Sequence, residues 1–148
     1  MSVTRSYTPE IVIPQPQITA CQGNLRGTPC MEIMQRALQK IADERGGTLT
    51  TTYRDCSGRE HPVILGVSTP QLPKGLGVDV ERSGKVVFRY DAQGADRREA
   101  ESLCRDISRA YAVVAVLRAQ NKLGYSVHVT GEEQTLTGRR VHTTGVRA

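Results

Sequence analysis

Cys30 is the residue whose type and position most directly suggest chemistry. It follows Thr28 and Pro29, two residues typical of a helix start, so we predict it in the first turn of that helix. Unpaired N–H groups and the helix macrodipole stabilise a thiolate there and make a cysteine more nucleophilic. A cysteine enzyme also needs a base, and the three histidines lie elsewhere. We therefore favour a semi-buried apolar thiol over a reactive one.

Cys21 is the nearest second cysteine. Eight residues separate it from Cys30, which leaves open a disulfide or half of a metal site. That spacing is not typical of structural zinc, and the sequence contains no CxxC pair. We expect reduced thiols.

His128 and His142 lie on two segments that we predict to pair as strands. One register places both on the face opposite Val127, Val129 and Val141, close enough to share a metal ion or a proton. Two imidazoles without a third type of ligand are weak evidence for a metal. We favour histidines on a polar sheet face and predict no metal site.

Arginines on the second predicted helix and on the final hairpin could bind an anionic partner. They are Arg97, Arg98, Arg105 and Arg109 on the helix and Arg139 and Arg140 on the hairpin. A phosphate-rich partner could lie across such a surface, since guanidinium groups bind phosphate in a bidentate manner. Glu99, Glu101 and Asp106 interrupt the arginines at salt-bridge spacing. We therefore favour an ordinary charge-laced helix face and keep nucleic-acid binding as the alternative.

Other motifs of an enzyme or a nucleotide site do not occur. The glycine-rich stretches 23–27 and 75–77 lack the lysine and following helix of a phosphate loop. One Phe, five Tyr and no Trp make base-stacking platforms scarce, which weakens any single-strand nucleic-acid interpretation. The formal net charge of +5 favours acidic partners in general. We expect no cofactor and no enzymatic activity, with a cysteine-based activity at Cys30 as the remaining alternative.

The order of helical and strand-like segments predicts an α+β fold. The first helix runs from Thr28 to Gly46-Gly47, and the second from near Asp96 to Gly124. Alternating or β-branched segments predict strands over 48–53, 63–67, 77–81, 85–90, 125–130 and 139–144. We predict a two-layer domain, an antiparallel sheet packed by two helices, in which an αββ unit occurs twice as a pseudo-repeat. A chain of 148 residues has the length of a single domain, which we place at 28–144, with a tail at 145–148.

Residues 1–27 are predicted to form an extended N-terminal arm. Pro9, Pro14 and Pro16 surround the apolar run Ile11-Val12-Ile13, a composition that suits an extended segment better than a helix. The run could lie on the domain's own core, or it could add a strand to the sheet of a partner.

The order of the pieces over roughly residues 31–144 resembles a family known from algal plastid and cyanobacterial genomes as hypothetical chloroplast reading frame thirty-five. The stretch Asp106-Ile107-Ser108-Arg109-Ala110-Tyr111-Ala112 is similar to that family's Ile-x-x-x-Tyr-Ala segment, and Leu123-Gly124-Tyr125-Ser126-Val127 follows at a similar distance. Weaker similarity lies in Gly77-Val78-Asp79-Val80 before Gly84, and in Gly138-Arg139. The family's function is unknown, and its genes often lie near AAA-type ATPases. The resemblance therefore implies an accessory or adaptor role.

Taken together, the sequence favours a non-enzymatic interaction module with a protein partner, which the resemblance suggests is an AAA-type ATPase complex. The alternative is a basic nucleic-acid-binding domain that uses the arginines of the second helix. No stretch of eighteen apolar residues and no signal-peptide pattern occurs, so we expect a cytoplasmic protein without a membrane partner. Exposed strands at the edges of a small sheet leave a homodimer open.

Overall fold

A computed structural model describes residues 4–93 and 95–122 with their side chains and residues 125–135 and 138–147 by their backbone. The chain divides into two compact units, Met1–Tyr111 and Ala112–Ala148. The helices are α1 Gln15–Ala20, α2 Pro29–Arg45 and α3 Arg97–Lys122. The strands are β1 Thr4–Tyr7, β2 Thr48–Arg54, β3 Glu60–Thr69, β4 Leu72–Val80, β5 Val86–Asp91, β6 Tyr125–Thr135 and β7 Gly138–Arg147. The predicted α+β class is confirmed.

Strands β1 to β5 form one antiparallel sheet in the order β1-β5-β4-β3-β2. Strands β2 to β5 follow one another through short connections, so sequential strands lie side by side. Val67 lies opposite Leu76, and Val78 lies opposite Phe88. These four side chains are fully buried and share one face of the sheet.

Helix α2 and the first half of α3 cover that face. Helix α2 begins as the sequence predicts, because the Thr28 hydroxyl accepts a hydrogen bond from the Met31 N–H at 3.2 Å. It ends at Gly46, whose φ of 68° is in the left-handed region that favours glycine. The apolar stripes of both helices face the sheet; they comprise Met31, Met34, Leu38 and Ile41 of α2 and Leu103 and Ile107 of α3. The core therefore lies between one sheet face and two helices.

The tip of the β2–β3 hairpin, residues 53–63, folds over the opposite face of the sheet. The pairing of β2 with β3 shifts register between Thr50 and Thr52, which bends the hairpin. Tyr53 and Val63 are buried at 5% and 8% exposure. A Cβ atom at Gly77 of β4 would lie 2.4 Å from Val63 Cγ1 and 3.0 Å from Tyr53 Cδ1. The hairpin tip thus packs closely on β4 only because residue 77 has no side chain.

The N-terminal segment differs from the predicted extended arm. Ile11 and Ile13 are buried in the domain's own core at 9% and 1% exposure, while Val12 between them is 58% exposed. The Ile13 N–H donates to the Gly84 carbonyl at 2.8 Å, and the Val86 N–H donates to the Ile11 carbonyl at 2.9 Å. The run therefore extends its own sheet, and Ile11 and Ile13 pack in the protein's own core. Binding of a partner by Ile11, Val12 and Ile13 stays a prediction.

Two further elements of this segment were not expected from its prolines. Strand β1 pairs with β5 and forms one edge of the sheet, so Thr4 lies opposite Asp91. Helix α1 begins after Pro14 and carries a proline in its first turn, where proline lacks only an N–H that a helix leaves unpaired.

Strands β6 and β7 form a separate two-stranded antiparallel sheet in the second unit. β7 extends to Arg147, so residues 145–147 are strand where the sequence predicted a tail. The order helix, strand, strand occurs at α2-β2-β3 and again at α3-β6-β7, in different sheets. An internal pseudo-repeat stays a prediction.

Candidate functional site

Three of the predicted arginines share one face of α3. A helix turns by about 100° per residue, so Arg98, Arg105 and Arg109 lie within about 40° of one another around its axis. We call these three residues the arginine face. They span about 16 Å along the helix at its rise of about 1.5 Å per residue. Arg97 lies about 100° away and belongs to another face.

The acidic residues of this part of α3 are all paired with arginines. Arg45 from the end of α2 contacts Asp106 at 2.6 Å and Glu99 at 3.5 Å. Arg97 contacts Glu101 at 3.0 Å, one helical turn away. The salt-bridged helix face favoured from the sequence is therefore present.

Two members of the arginine face remain without an acidic partner. Arg98 and Arg105 are exposed, and neither guanidinium group forms a salt bridge with any residue described here. Arg109 is 36% exposed and lies 3.6 Å from Asp106, a carboxylate that Arg45 also contacts. The arginine face thus carries excess positive charge. The side chains of the other two predicted arginines, Arg139 and Arg140, lie outside the described part of the structure.

Cys30 occupies the predicted first turn of α2, but it is only 4% exposed. Its Sγ lies 2.9 Å from the Tyr111 hydroxyl, and its N–H donates to Gln17 Oε1 at 3.2 Å. Burial raises the pKa of this thiol, and the hydrogen bond from Tyr111 only partly offsets that effect. A helix N-terminus by itself stabilises a thiolate and so lowers the pKa of a cysteine. Desolvation outweighs it here, and a nucleophilic Cys30 stays a prediction.

The other two candidate pairs from the sequence are Cys21 with Cys30 and His128 with His142. Cys21 is partly buried and donates from Sγ to the Ile18 carbonyl at 3.0 Å, and the structure records it and Cys30 as thiols. The backbone register pairs His128 with Thr144 and His142 with Gly131, so the two histidines are not direct cross-strand partners. Their side chains lie outside the described residues. Within the described residues, no group of three or more His, Cys, Asp or Glu side chains could hold a metal ion.

A cluster that the sequence did not single out lies on the hairpin tip, around Asp55. This carboxylate is 7% exposed and accepts hydrogen bonds from His61 Nε2 at 2.9 Å, Ser57 Oγ at 2.5 Å, and the N–H groups of Ser57 and Arg59. The hydrogen bond from the Ser57 hydroxyl is the largest cause that holds the pKa of Asp55 well below its usual range, and the hydrogen bond from His61 is the next. The His61 ring stacks on Tyr53, with ring centroids 4.9 Å apart. Two contacts therefore fix the orientation of the imidazole.

A second buried carboxylate, that of Asp91, binds the backbone of Cys56, the residue after Asp55. Asp91 at the end of β5 is 1% exposed, and its Oδ2 accepts the Cys56 N–H at 2.6 Å. Lys74 Nζ lies 3.9 Å from the same oxygen and also contacts the Gln93 carbonyl. The side chain of Cys56 is exposed. Asp91 thus ties the hairpin tip to a strand 35 positions later in the chain.

The sequence indicates the turn around Asp55 but not the contacts that this turn makes with other strands. Asp55, Ser57 and Gly58 are typical turn residues, and an aspartate that bonds the N–H two residues on is a common turn device. His61 precedes the predicted strand 63–67, although the register places it directly opposite Tyr53. The contact with Asp91 is long-range and has no local sequence signal.

Comparison with known proteins gives no relative for this chain. No family model matches it, and neither the curated proteins nor the solved structures contain a significant match. The described residues include no helix long and apolar enough to cross a membrane.

Proposed function

We propose that this protein is a non-enzymatic interaction module that binds an acidic surface of a protein partner through the arginine face of α3. The observation that carries the proposal is the uneven pairing of charge on that helix. Glu99, Glu101 and Asp106 are paired with arginines, while Arg98 and Arg105 are exposed and form no salt bridge with any residue in the described part of the chain. Two such guanidinium groups about 10 Å apart can each bind a carboxylate in a bidentate manner.

A protein partner is favoured over nucleic acid by the carboxylates beside the arginine face. Glu101 and Asp106 lie about 60–80° around the helix from Arg98 and are 39% and 37% exposed. Such groups repel a continuous line of phosphates, but a protein surface can place its own charges to avoid them or to pair with them. Mixed charge of this kind is typical of a protein interface rim.

The partner itself is proposed from the resemblance alone. An AAA-type ATPase complex is the candidate, in the cytoplasm. The N-terminal segment no longer supports this role, since Ile11 and Ile13 are buried in the protein's own core.

The test is charge reversal on the arginine face, compared with charge reversal elsewhere. Tagged full-length protein, the Arg98→Glu/Arg105→Glu variant and an Arg36→Glu/Arg82→Glu control are used to capture partners from the source cell. Arg36 and Arg82 are exposed, so the control changes the net charge equally at other positions. We expect a stoichiometric protein that the wild type and the control retain and the arginine-face variant loses. Equal retention by all three proteins would refute the proposal.

Nucleic-acid binding through the same arginines is the second candidate, favoured by the exposure of Arg98 and Arg105. Each phosphate contact adds steep salt dependence, because binding releases counterions. Nucleic acid that leaves the captured protein as salt rises, with no protein partner in the same eluates, would establish this candidate in place of the first.

A further inference from the structure

The second half of α3 contains an apolar segment, residues 112–119, in which no residue is buried. Seven of these eight residues are Ala, Val or Leu. Ala112, Val116 and Ala119 are exposed, Val116 by 44%, and the other apolar residues of the segment are partly buried. The buried residues of α3 all precede the segment; they are Ala100, Leu103, Cys104, Ile107 and Ala110. A helix that is apolar on all sides is normally covered, so the composition of this segment indicates a binding surface.

The exposed residues of the segment are spaced for contact with another helix. Ala112, Val116 and Ala119 follow one another at intervals of four and three residues and lie within about 60° around the axis of α3. We call these three residues the apolar stripe. Alternation of three and four is the spacing of residues along the seam between two packed helices. The two alanines are small, which lets a second helix approach closely, and Val116 between them can enter a hole on that helix.

Charge along the same helix indicates which kind of helix fits. From Ile107 to Lys122 the sequence contains three basic residues and no acidic one; the basic residues are Arg109, Arg118 and Lys122. A second copy of α3 would bring like charges together, which disfavours self-association. An acidic helix would instead bring carboxylates to the flanks of the seam, where charges determine the choice of partner.

We propose that residues 112–122 of α3 dock an amphipathic helix of the protein partner, with apolar residues along its seam and carboxylates on its flanks. This inference rests on the function proposed above, because Arg105 and Arg109 of the arginine face precede Ala112 at the same intervals of four and three residues. A helix laid along α3 in this way is a common mode of recognition. The arginines favour acidic partners during encounter, and burial of Val116 removes apolar surface from water.

The experiment measures binding of a labelled synthetic peptide to the folded full-length protein by fluorescence anisotropy. The peptide is about three heptads long, with leucine at the a and d positions and glutamate at e and g, and a control peptide has lysine in place of glutamate. The stripe variants are Val116→Glu and Ala119→Glu, both at exposed positions. Val12→Glu is the matched control, since it changes an exposed valine of the N-terminal segment. Circular dichroism identifies the variants that are folded.

We expect the acidic peptide to bind the wild type and Val12→Glu equally. Both stripe variants should bind it about tenfold or more weakly, as loss of apolar contact and repulsion between carboxylates predict. The lysine peptide should bind the wild type more weakly by a similar factor. The proposal would be overturned if the acidic peptide did not bind, if the folded stripe variants bound it as well as the wild type, or if the two peptides bound equally.

Two other occupants of the apolar stripe give different results, and either would overturn the proposal. A wild-type dimer in sedimentation equilibrium that Val116→Glu dissociates would assign the stripe to a second copy of this chain. Binding of the wild type to phosphatidylserine vesicles that Val116→Glu abolishes would assign it to a membrane surface.

Failure of this proposal can be distinguished from failure of the proposed function. If Arg98→Glu/Arg105→Glu loses the captured partner but the acidic peptide does not bind, the arginine-face function stands and the docked helix is overturned. If peptide binding depends on Val116 but partner capture is unchanged by Arg98→Glu/Arg105→Glu, the stripe is retained as a docking site and the arginine-face function is refuted.

Discussion

Replacing Gly77 by alanine tests the packing of the hairpin tip on β4. The new Cβ would lie 2.4 Å from Val63 Cγ1 and 3.0 Å from Tyr53 Cδ1. Carbon atoms in good contact are about 3.5–4.0 Å apart, so the nearer contact is short by more than about 1 Å. Either the hairpin tip or β4 must move.

The expected change in the free energy of unfolding follows from two opposing effects. Overpacking a well-packed site costs about 1–3 kcal/mol. Alanine has less backbone freedom than glycine in the unfolded chain, which stabilises the folded protein by about 0.4–1 kcal/mol. The backbone of Gly77 does not lie in the left-handed region, so alanine adds no strain there. We expect Gly77→Ala to lower the free energy of unfolding by about 1–2 kcal/mol.

The assay is urea unfolding followed by circular dichroism, with Val63→Ala and the double variant beside Gly77→Ala. Val63→Ala alone should cost about 1.6 kcal/mol, at about 0.8 kcal/mol per buried methyl group. In the double variant the closest clash is gone, so the combined loss should fall short of the sum by about 1 kcal/mol or more. Gly27→Ala is the matched control, since its Cβ would meet only the Asn24 side chain within 4 Å. Additive losses, or a Gly77→Ala variant as stable as wild type, would refute this packing.

Three further predictions concern the core, the hairpin tip and the thiols. Ile13→Ala should cost about 2–5 kcal/mol in urea unfolding because its side chain is fully buried, whereas Val12→Ala should stay within about 0.5 kcal/mol; equal effects would contradict the docking of this segment. The folded pKa of Asp55 lies below its unfolded value of about 3.9, so its contribution is present above that pH and is lost as pH falls towards the folded pKa. Asp55→Asn should therefore be less stable than wild type at pH 7, with a difference that shrinks on acidification, and a constant difference in a pH series of unfolding curves would contradict this. Burial raises the pKa of Cys104 to about 12, so iodoacetamide at pH 8 should leave it and Cys30 unlabelled until urea is added, and rapid native labelling would contradict their burial.

Local patterns predicted α2, α3 and most strands because the signals for them lie within a few residues. Thr28 caps α2, Gly46 ends it, and the apolar stripe through Met34 and Leu38 faces the core as its spacing requires. These features depend on neighbours in sequence, which is why periodicity and capping residues identified them.

The path of the N-terminal segment could not be read from its sequence. Ile11 and Ile13 are both apolar and flank the exposed Val12, which is a strand pattern, but their hydrogen-bond partners lie at Gly84 and Val86. Composition gives no information about which edge such a strand joins. Its three prolines favoured an extended conformation, and one of them instead precedes a short helix.

The candidate sites likewise contain some features that local sequence predicts and others that depend on long-range packing. The spacing of Arg98, Arg105 and Arg109 on one helix face was predictable from sequence, because it follows from the helical period. The pairing of Arg45 with Asp106 was not, since it depends on how α2 and α3 pack. It is this long-range contact that makes the arginine face more positive than its own sequence indicates.

The measurement that most directly tests the proposed function is arginine-specific labelling of the full-length protein, alone and bound to the partner that it captures. A dicarbonyl reagent modifies exposed guanidinium groups, and mass spectrometry gives the extent of modification at each position. We expect Arg98 and Arg105 to be modified in the free protein and protected in the complex, while Arg36 and Arg82 are modified equally in both. Equal modification of Arg98 and Arg105 in the free and bound protein would contradict binding through the arginine face.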